Sequence, residues 1–403
     1  MTPLTGCITF LGVAYNNGFC DFAQNDGYSR GVWMMRKKFD LKKYIGINII
    51  PIIFILLVAI MLPFSGYSGR FLAQEVITRL GRDIFLVLAL LVPIMAGLGI
   101  NFGLGLGAMA AQIALILVTD RQIGGVSGIL LAMLISTPIA ILFGFFSGYL
   151  LNKAKGREMT TSYVLGFFML GAYQVIILTG MGKLIPIGDS DILLPRGFGV
   201  RGTIFLERIE GSLDTLVDKV TGLTISINTI RIPLFTLLVV ALLCLLTWWF
   251  RRTKLGQEIR AVGQDMGAAA ASGINVARTR MIAMLISTVL AGYGYIIFIQ
   301  NIGVMPAYTG ADNIALYAAA ALLVGGATPQ KAGIPRVIFG VVLFHLMFIS
   351  MPSPPSRMIG NPAITEYFRL FISFSIIAIA LVTNGWTKRK EKDQAPPPNP
   401  YPR

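Results

Sequence analysis

Pro233–Phe250 reads PLFTLLVVALLCLLTWWF, an apolar run without a charged residue, closed by Arg251 and Arg252. A helix needs about 20 such residues to cross some 30 Å of hydrocarbon, where only a helix or a closed barrel satisfies its own backbone. Ile45–Phe64 and Ile84–Ile100 have the same character. Of the 403 residues 55% are hydrophobic and 13% charged, and no polar stretch is long enough for a soluble domain. Soluble domains carry about a quarter charged residues. The class is an all-α polytopic membrane protein.

Working outward gives about ten spans, near 45–64, 84–100, 102–118, 123–151, 161–182, 233–250, 279–301, 312–327, 335–351 and 365–386. Lys and Arg concentrate in cytoplasmic loops, so the net charge of +15 is a topology signal and not a nucleic-acid footprint. Placing both termini in the cytoplasm puts Arg36, Lys37, Lys38, Lys42 and Lys43 on one side. Lys153, Lys155, Arg157, Arg251, Arg252, Lys254, Arg260, Arg278, Arg280, Lys331, Arg336 and Lys388, Arg389, Lys390, Lys392 fall there too. Residues 1–43 are then a cytoplasmic segment, 44–386 the membrane domain, and 387–403 a basic, Pro-rich cytoplasmic tail. Residues 1–33 are polar and aperiodic. Met34 or Met35, followed by the basic cluster, is the expected native start. The outer loop 183–232 balances its bases with Asp189, Asp191, Glu207, Glu210, Asp214 and Asp218. Its stretch Gly211–Val220 reads as amphipathic helix, with Leu213, Leu216 and Val217 on one face.

The cytoplasmic loop 251–278 holds the most specific pattern. Thr253–Val276 reads TKLGQEIRAVGQDMGAAAASGINV, too polar to span. The punctuation predicts two short helices. One starts after Thr253 and stops at Gly263; the next starts at Asp265, a good N-cap, and ends at Gly273, free to turn left-handed. Ala268–Ala271 make the second helix thin and smooth, suited to lying on another protein and poorly suited to metal or acid–base chemistry.

This loop resembles that of the permeases of bacterial ATP-binding-cassette importers for simple sugars, nucleosides and branched-chain amino acids. The family pattern is approximately T-x-x-G-x-x-x-R-A-V-G-x-[ND]-x-x-A-A-x-x-x-G-I-[ND]-V. Thr253, Gly256, Arg260, Ala261, Val262, Gly263, Asp265, Ala268, Ala269, Gly273, Ile274, Asn275 and Val276 match it in register. The resemblance implies that the loop docks on a cytoplasmic ATPase and passes its closure to the spans. It also implies a second permease subunit, the same or related, and a periplasmic or lipid-anchored solute-binding protein. Gly97–Met109 (GLGINFGLGLGAM) is similar to a second family segment, departing at Asn101 and Gly103; Leu323–Gly333 (LVGGATPQKAG) is similar to a third. The likeness covers roughly 84–386.

Gly103, Gly105 and Ala108 satisfy a dinucleotide fingerprint, which has meaning only in a βαβ unit and is discarded here. Gly99, Gly103 and Gly107 share a helix face, as do Gly144 and Gly148, and small faces let helices approach closely. Glycine-interrupted spans near 97–107 and 325–333, one in each of two similar halves, point to a path at the repeat interface. Its expected lining is Gly99, Asn101, Gly103, Gly107, Gly325 and Gly326. Asn48, Gln112, Gln174, Gln300 and Asn301 read as inter-helix hydrogen-bonders, and His345 as a packing residue. Asp83, Asp312 and Glu366 read as lying at span ends, which leaves the spans free of mid-membrane carboxylates. Ion-coupled carriers place ionisable groups inside, so a secondary carrier is the weaker alternative. There is no G-x-x-x-x-G-K-[ST] for ATP, and Cys7, Cys20 and Cys244 lack metal or disulfide spacing. The expected function is a permease for a small neutral solute, a sugar or nucleoside before a branched-chain amino acid, in the bacterial inner membrane in contact with lipid. It is not an enzyme, and no cofactor, metal or nucleic acid is expected.

Overall fold

The computed structural model describes residues 49–154, 156–216, 226–227, 230–231, 233–327 and 333–350, with Tyr367, Phe371, Phe374, Ser375 and Ala378. The expected tenth span, the tail 387–403, the segment 1–43 and Asn48 lie outside the described residues, apart from those five helical positions.

Eleven described α-helices follow in order: α1 (Ile49–Ser65), α2 (Gly69–Met95), α3 (Leu104–Asp120), α4 (Gly125–Lys153), α5 (Glu158–Val175), α6 (Leu234–Phe250), α7 (Lys254–Gln264), α8 (Met266–Ala271), α9 (Val276–Ile302), α10 (Ile314–Val324) and α11 (Ile334–Ser350). A π-turn, Ile176–Gly180, prolongs α5. Two short ribbons accompany them. β1 (Thr203–Phe205) pairs antiparallel with β4 (Val304–Pro306), Ile204 opposite Met305. β2 (Ser226–Ile227) pairs with β3 (Ile230–Arg231). Three described helices are long and apolar enough to cross a membrane alone, Gly125–Lys153, Glu158–Gly180 and Val276–Ile302; Leu234–Phe250 with Lys254–Gln264 passes as a pair bent by 73°.

α3 is the axis of the bundle. Nearly all of it is buried, packed against α4, α5, α9 and α10. Its low residue volume permits this: a Cβ on Gly107 would overlap the Thr288 carbonyl and lie 2.7 Å from the Ala291 Cβ of α9. Gly144 and Gly148 of α4 meet Thr288, Met281 and Met284 of the same helix. Overpacking a tight site costs about 1–3 kcal/mol. Gly107→Ala is therefore expected to lower the thermal midpoint of the purified protein, and Gly171→Ala, with nothing within 4 Å of the new Cβ, to leave it unchanged. Equal behaviour of the two would refute the close crossing.

Three expectations need correction. The span expected at 84–100 is a helix of 27 residues starting at Gly69 and ending at Met95. Its charges do not end it, because they pair: Arg79 with Glu75 at 3.1 Å, Arg82 with Asp83 at 3.5 Å, and Asp83 with His345 Nε2 at 2.9 Å. Asp83 is thus inside the helix and nearly buried, and His345 has an acidic partner besides its packing. The helix stops early because Gly97 (φ 73°) and Gly99 (φ 71°) are left-handed, a conformation that ends helices. The span expected at 312–327 holds a helix of only 11 residues. The 211–220 stretch is hydrogen-bonded turn at 211–215, with Leu213 buried; residues 217–220 lie outside the described ones.

Candidate functional site

Five helix ends gather around residues 251–275. Asn152 at the end of α4 donates to the Ala277 carbonyl at 2.9 Å. Gly263 of α7 abuts the Met95 carbonyl and the Gly97 backbone where α2 ends. A Cβ on Gly333, before α11, would lie 3.7 Å from Arg251 Nη1, and α5 and α9 are joined by an ion pair, Arg280 Nη2 to Glu158 Oε1 at 2.6 Å.

Within this loop the local signals act as read. The Thr253 hydroxyl accepts from Gly256 N (3.3 Å) and caps α7. Asp265 Oδ1 accepts from Gly267 N (2.7 Å) and Ala268 N (3.0 Å) and caps α8. Gly273 closes the turn at φ 82°. Gly256 and Gly263 have a packing reason, since a Cβ on Gly256 would overlap the Phe250 carbonyl and one on Gly263 the Met95 carbonyl. Arg260 and Asp265 are exposed. On α8, Ala269 is buried while Gly267, Ala268, Ala270 and Ala271 form an exposed strip of small residues. Burial, and secondarily the Arg260 charge, lowers the Arg251 guanidinium from its ordinary pKa.

Arg280 and Glu158 are site residues that the sequence did not reveal. The Arg280 side chain has no exposure; its Nη1 lies 3.9 Å from the Met266 Sδ at the start of α8. Glu158 is in the first turn of α5, where the helix dipole also favours a carboxylate. One guanidinium therefore ties α8, α9 and α5 together. Their separation by 122 residues left no local signal.

The expected path residues fall into two groups. Gly99, Asn101, Gly103 and Gly107 lie in the break before α3 or on α3 itself. Asn101 is buried; its Oδ1 accepts from Gly103 N (2.9 Å) and its Nδ2 lies 3.4 Å from the Met284 Sδ. Gly99 packs on Met159. Gly325 and Gly326 stand elsewhere, against the Arg336 carbonyl, Gly340 and Pro51. Among the described residues, none of these six is in the lining of the cleft or of the pocket described below. The cleft that does form runs between α3, α5 and the start of α10, lined by Phe102, Gly105, Met109, Tyr163, Gly166, Phe167, Leu170, Ala311, Asp312, Ala315 and Leu316.

The second interruption that borders this cleft is 303–313 rather than 325–333. After the left-handed cap at Gly303, the chain pairs with β1 and turns back into the bundle. Gln112 Nε2 donates to the Pro306 carbonyl at 3.0 Å and bonds the Tyr295 hydroxyl at 2.8 Å. The Tyr173 hydroxyl donates to the Ala307 carbonyl and Gln174 Nε2 to that of Tyr308, each at 3.0 Å. Non-helical backbone at membrane depth requires such partners. Gln112 therefore bonds between helices, to Tyr295 of α9, as expected, whereas Gln174 and Asn301 bond non-helical segments instead, Asn301 to Asp214 Oδ2 at 2.7 Å. Asp312, read as the end of a span, instead presents the cleft with its only carboxylate. At the end of the molecule opposite the α7–α8 loop, a separate pocket of about 400 Å³ is lined by Asp189, Asp191, Arg201, Glu207 and Arg208 among others.

Apolar helices packed on a small-residue axis, with interrupted helices bordering a cleft and a polar loop rooted on five helix ends, fit a polytopic membrane permease. The chain belongs to the family of branched-chain amino acid transport system permease components, which matches residues 74–380. It is similar to the autoinducer 2 import system permease protein LsrC of Enterobacter sp. (strain 638), 31% identical over 43% of this chain and 51% of the relative. It is also similar to the xylose transport system permease protein XylH of Haemophilus influenzae, 31% identical over 42% and 44%. The likeness to the nucleoside ABC transporter permease protein NupB of Lactococcus lactis subsp. cremoris is longer, 25% identical over 72% and 77%. The chain spans about half the length of the LsrC and XylH relatives. No solved structure matches it. Family and apolar helices together imply a multi-pass membrane protein, a permease component without an ATPase site of its own.

Proposed function

We propose that the chain is the conduit subunit of an ATP-driven importer in a bacterial inner membrane, carrying a small neutral solute, a simple sugar or nucleoside. Two such permeases, identical or related, pair with two cytoplasmic ATPases and receive solute from a periplasmic or lipid-anchored binding protein. About ten spans in two similar halves place both termini and the 251–278 loop in the cytoplasm, and the 183–232 loop outside. Relatives named for autoinducer 2, xylose and nucleoside transport support a hydroxylated solute; the family description keeps branched-chain amino acids as the second candidate.

The observation that carries this reading is the exposed face of α8. Gly267, Ala268, Ala270 and Ala271 leave backbone accessible to a partner, while buried Ala269 and the Arg280–Glu158 pair root the helix on α9 and α5. A load applied to α8 is thereby delivered to the helices around the cleft. Thr253, Gly256, Arg260, Gly263, Asp265, Ala268, Ala269 and Gly273 divide into caps, close-packing positions and contact surface. Ala268 is the contact position to test, since a large side chain at Ala269 disturbs the fold itself.

A cysteine at Ala270 is expected to crosslink in native membranes to a subunit that hydrolyses ATP. Adding Ala268→Trp is expected to remove the adduct, with membrane insertion unchanged. Uptake of labelled D-xylose or uridine that survives ATP depletion and collapses with an uncoupler would identify a secondary carrier and end this reading.

A further inference from the structure

We propose that Asp312 is the solute-contacting group of the conduit, accepting hydrogens from the vicinal hydroxyls of a neutral polyhydroxylated solute held against the Phe102–Tyr163–Phe167 ring cluster. The inference rests on the conduit reading and adds a residue and a ligand chemistry for the cleft between α3, α5 and α10.

Depth comes first. Gly107 meets α9 at Thr288–Gly292, the middle of that 27-residue helix, and a Cβ on Gly105 would lie 3.3 Å from the Ala311 carbonyl. Asp312 is therefore held near mid-bundle. α9 is about 40 Å long at 1.5 Å per residue, so this level is far from either end. The Asp312 side chain is exposed to the cleft and makes no hydrogen bond or ion pair with any described residue. A bare carboxylate at this depth is costly against lipid, and such groups face a water-filled cavity or a partner and mark solute pathways.

The rest of the cleft selects the ligand class. Phe102 and Tyr163 meet edge to face at 5.3 Å, and Tyr163 and Phe167 at 4.7 Å. These rings offer apolar faces to the C–H side of a sugar ring. Gly105 and Gly166 keep the floor open: a Cβ on Gly166 reaches nothing closer than the Phe102 carbonyl at 3.5 Å. A carboxylate is acceptor-only and takes two hydroxyl hydrogens at once. A cation would be held too firmly, because opposite charges attract strongly in a low-dielectric site and a conduit must let its cargo leave.

The test is saturation-transfer NMR on the purified full chain in detergent, with D-xylose and uridine as neutral probes and putrescine as the cationic control. Transfer to the sugar-ring protons of D-xylose or uridine is expected, and not to putrescine. D312N should weaken apparent affinity by about tenfold, the loss of one hydrogen bond to a charged acceptor. G166L, which fills the cleft away from the carboxylate, should abolish transfer while leaving the thermal midpoint unchanged. Undiminished transfer in D312N, transfer to putrescine alone, or no transfer to any probe would each overturn the proposal. Loss of the Ala270 crosslink is a separate result: it sinks the ATP-driven reading, whereas an unaffected crosslink with an inert D312N sinks only the role of Asp312.

Discussion

Arg280→Ala is expected to cost about 3–5 kcal/mol of stability, the range seen when one partner of a buried ion pair is removed. The guanidinium has no solvent exposure, and its Nη2 contacts Glu158 Oε1 at 2.6 Å. Truncation would leave the Glu158 carboxylate with 11% side-chain exposure and no cation. Glu158→Gln combined with Arg280→Met is expected to recover most of the loss, because replacing a buried pair by neutral groups is often near-neutral. Thermal unfolding of the single and double variants checks both statements. The reading fails if Arg280→Ala stays within about 0.5 kcal/mol of the parent, the range of an ordinary surface change, or if the double variant is no better than the single. The double variant also separates stability from coupling. With the fold recovered and the tie between α8, α9 and α5 neutralised, any loss of ATP-driven uptake belongs to the tie itself.

What the sequence disclosed and what it concealed divide by range. Thr253, Asp265 and Gly273 punctuate α7 and α8 through bonds to atoms two or three residues away or through their own backbone angle, so reading them needs no partner. The apolar runs are legible for the same reason: span length is fixed by hydrocarbon thickness. Asp83 is the opposite case. Its charge looked like a boundary because its partner, His345, stands on α11, and no local rule pairs them. Asp312 and the 303–313 segment were hidden likewise, since Gln112, Tyr173 and Gln174 hold that segment from α3 and α5. Glycine pointed to the break before α3, whereas the interruption at 303–313 that borders the cleft is set by side-chain bonds and the glycines at 325–326 serve packing.

Asp83→Leu carries the second large effect, about 3 kcal/mol by the same removal of one buried partner. Asp83 Oδ2 lies 2.9 Å from His345 Nε2 and 3.5 Å from Arg82 Nε, with side-chain exposures of 13%, 9% and 16% for Asp83, His345 and Arg82. The cluster is sealed by rings: Arg82 stands over Phe298 at 4.9 Å, Arg79 over Phe348 at 5.6 Å, and Phe344 meets His345 edge to face at 5.4 Å. Arg79 keeps Glu75 when Asp83 is lost; among the described residues, Arg82 keeps only the face of Phe298. The deficit should therefore be that of one uncompensated guanidinium, and Arg82→Leu together with Asp83→Leu should restore more than half of it. His345→Leu with Asp83→Leu should restore little, because the cation remains. A ranking with the His345 double variant as the better rescue would show that the imidazole, rather than Arg82, is the charge that Asp83 balances, and would transfer the hold between α2 and α11 to His345.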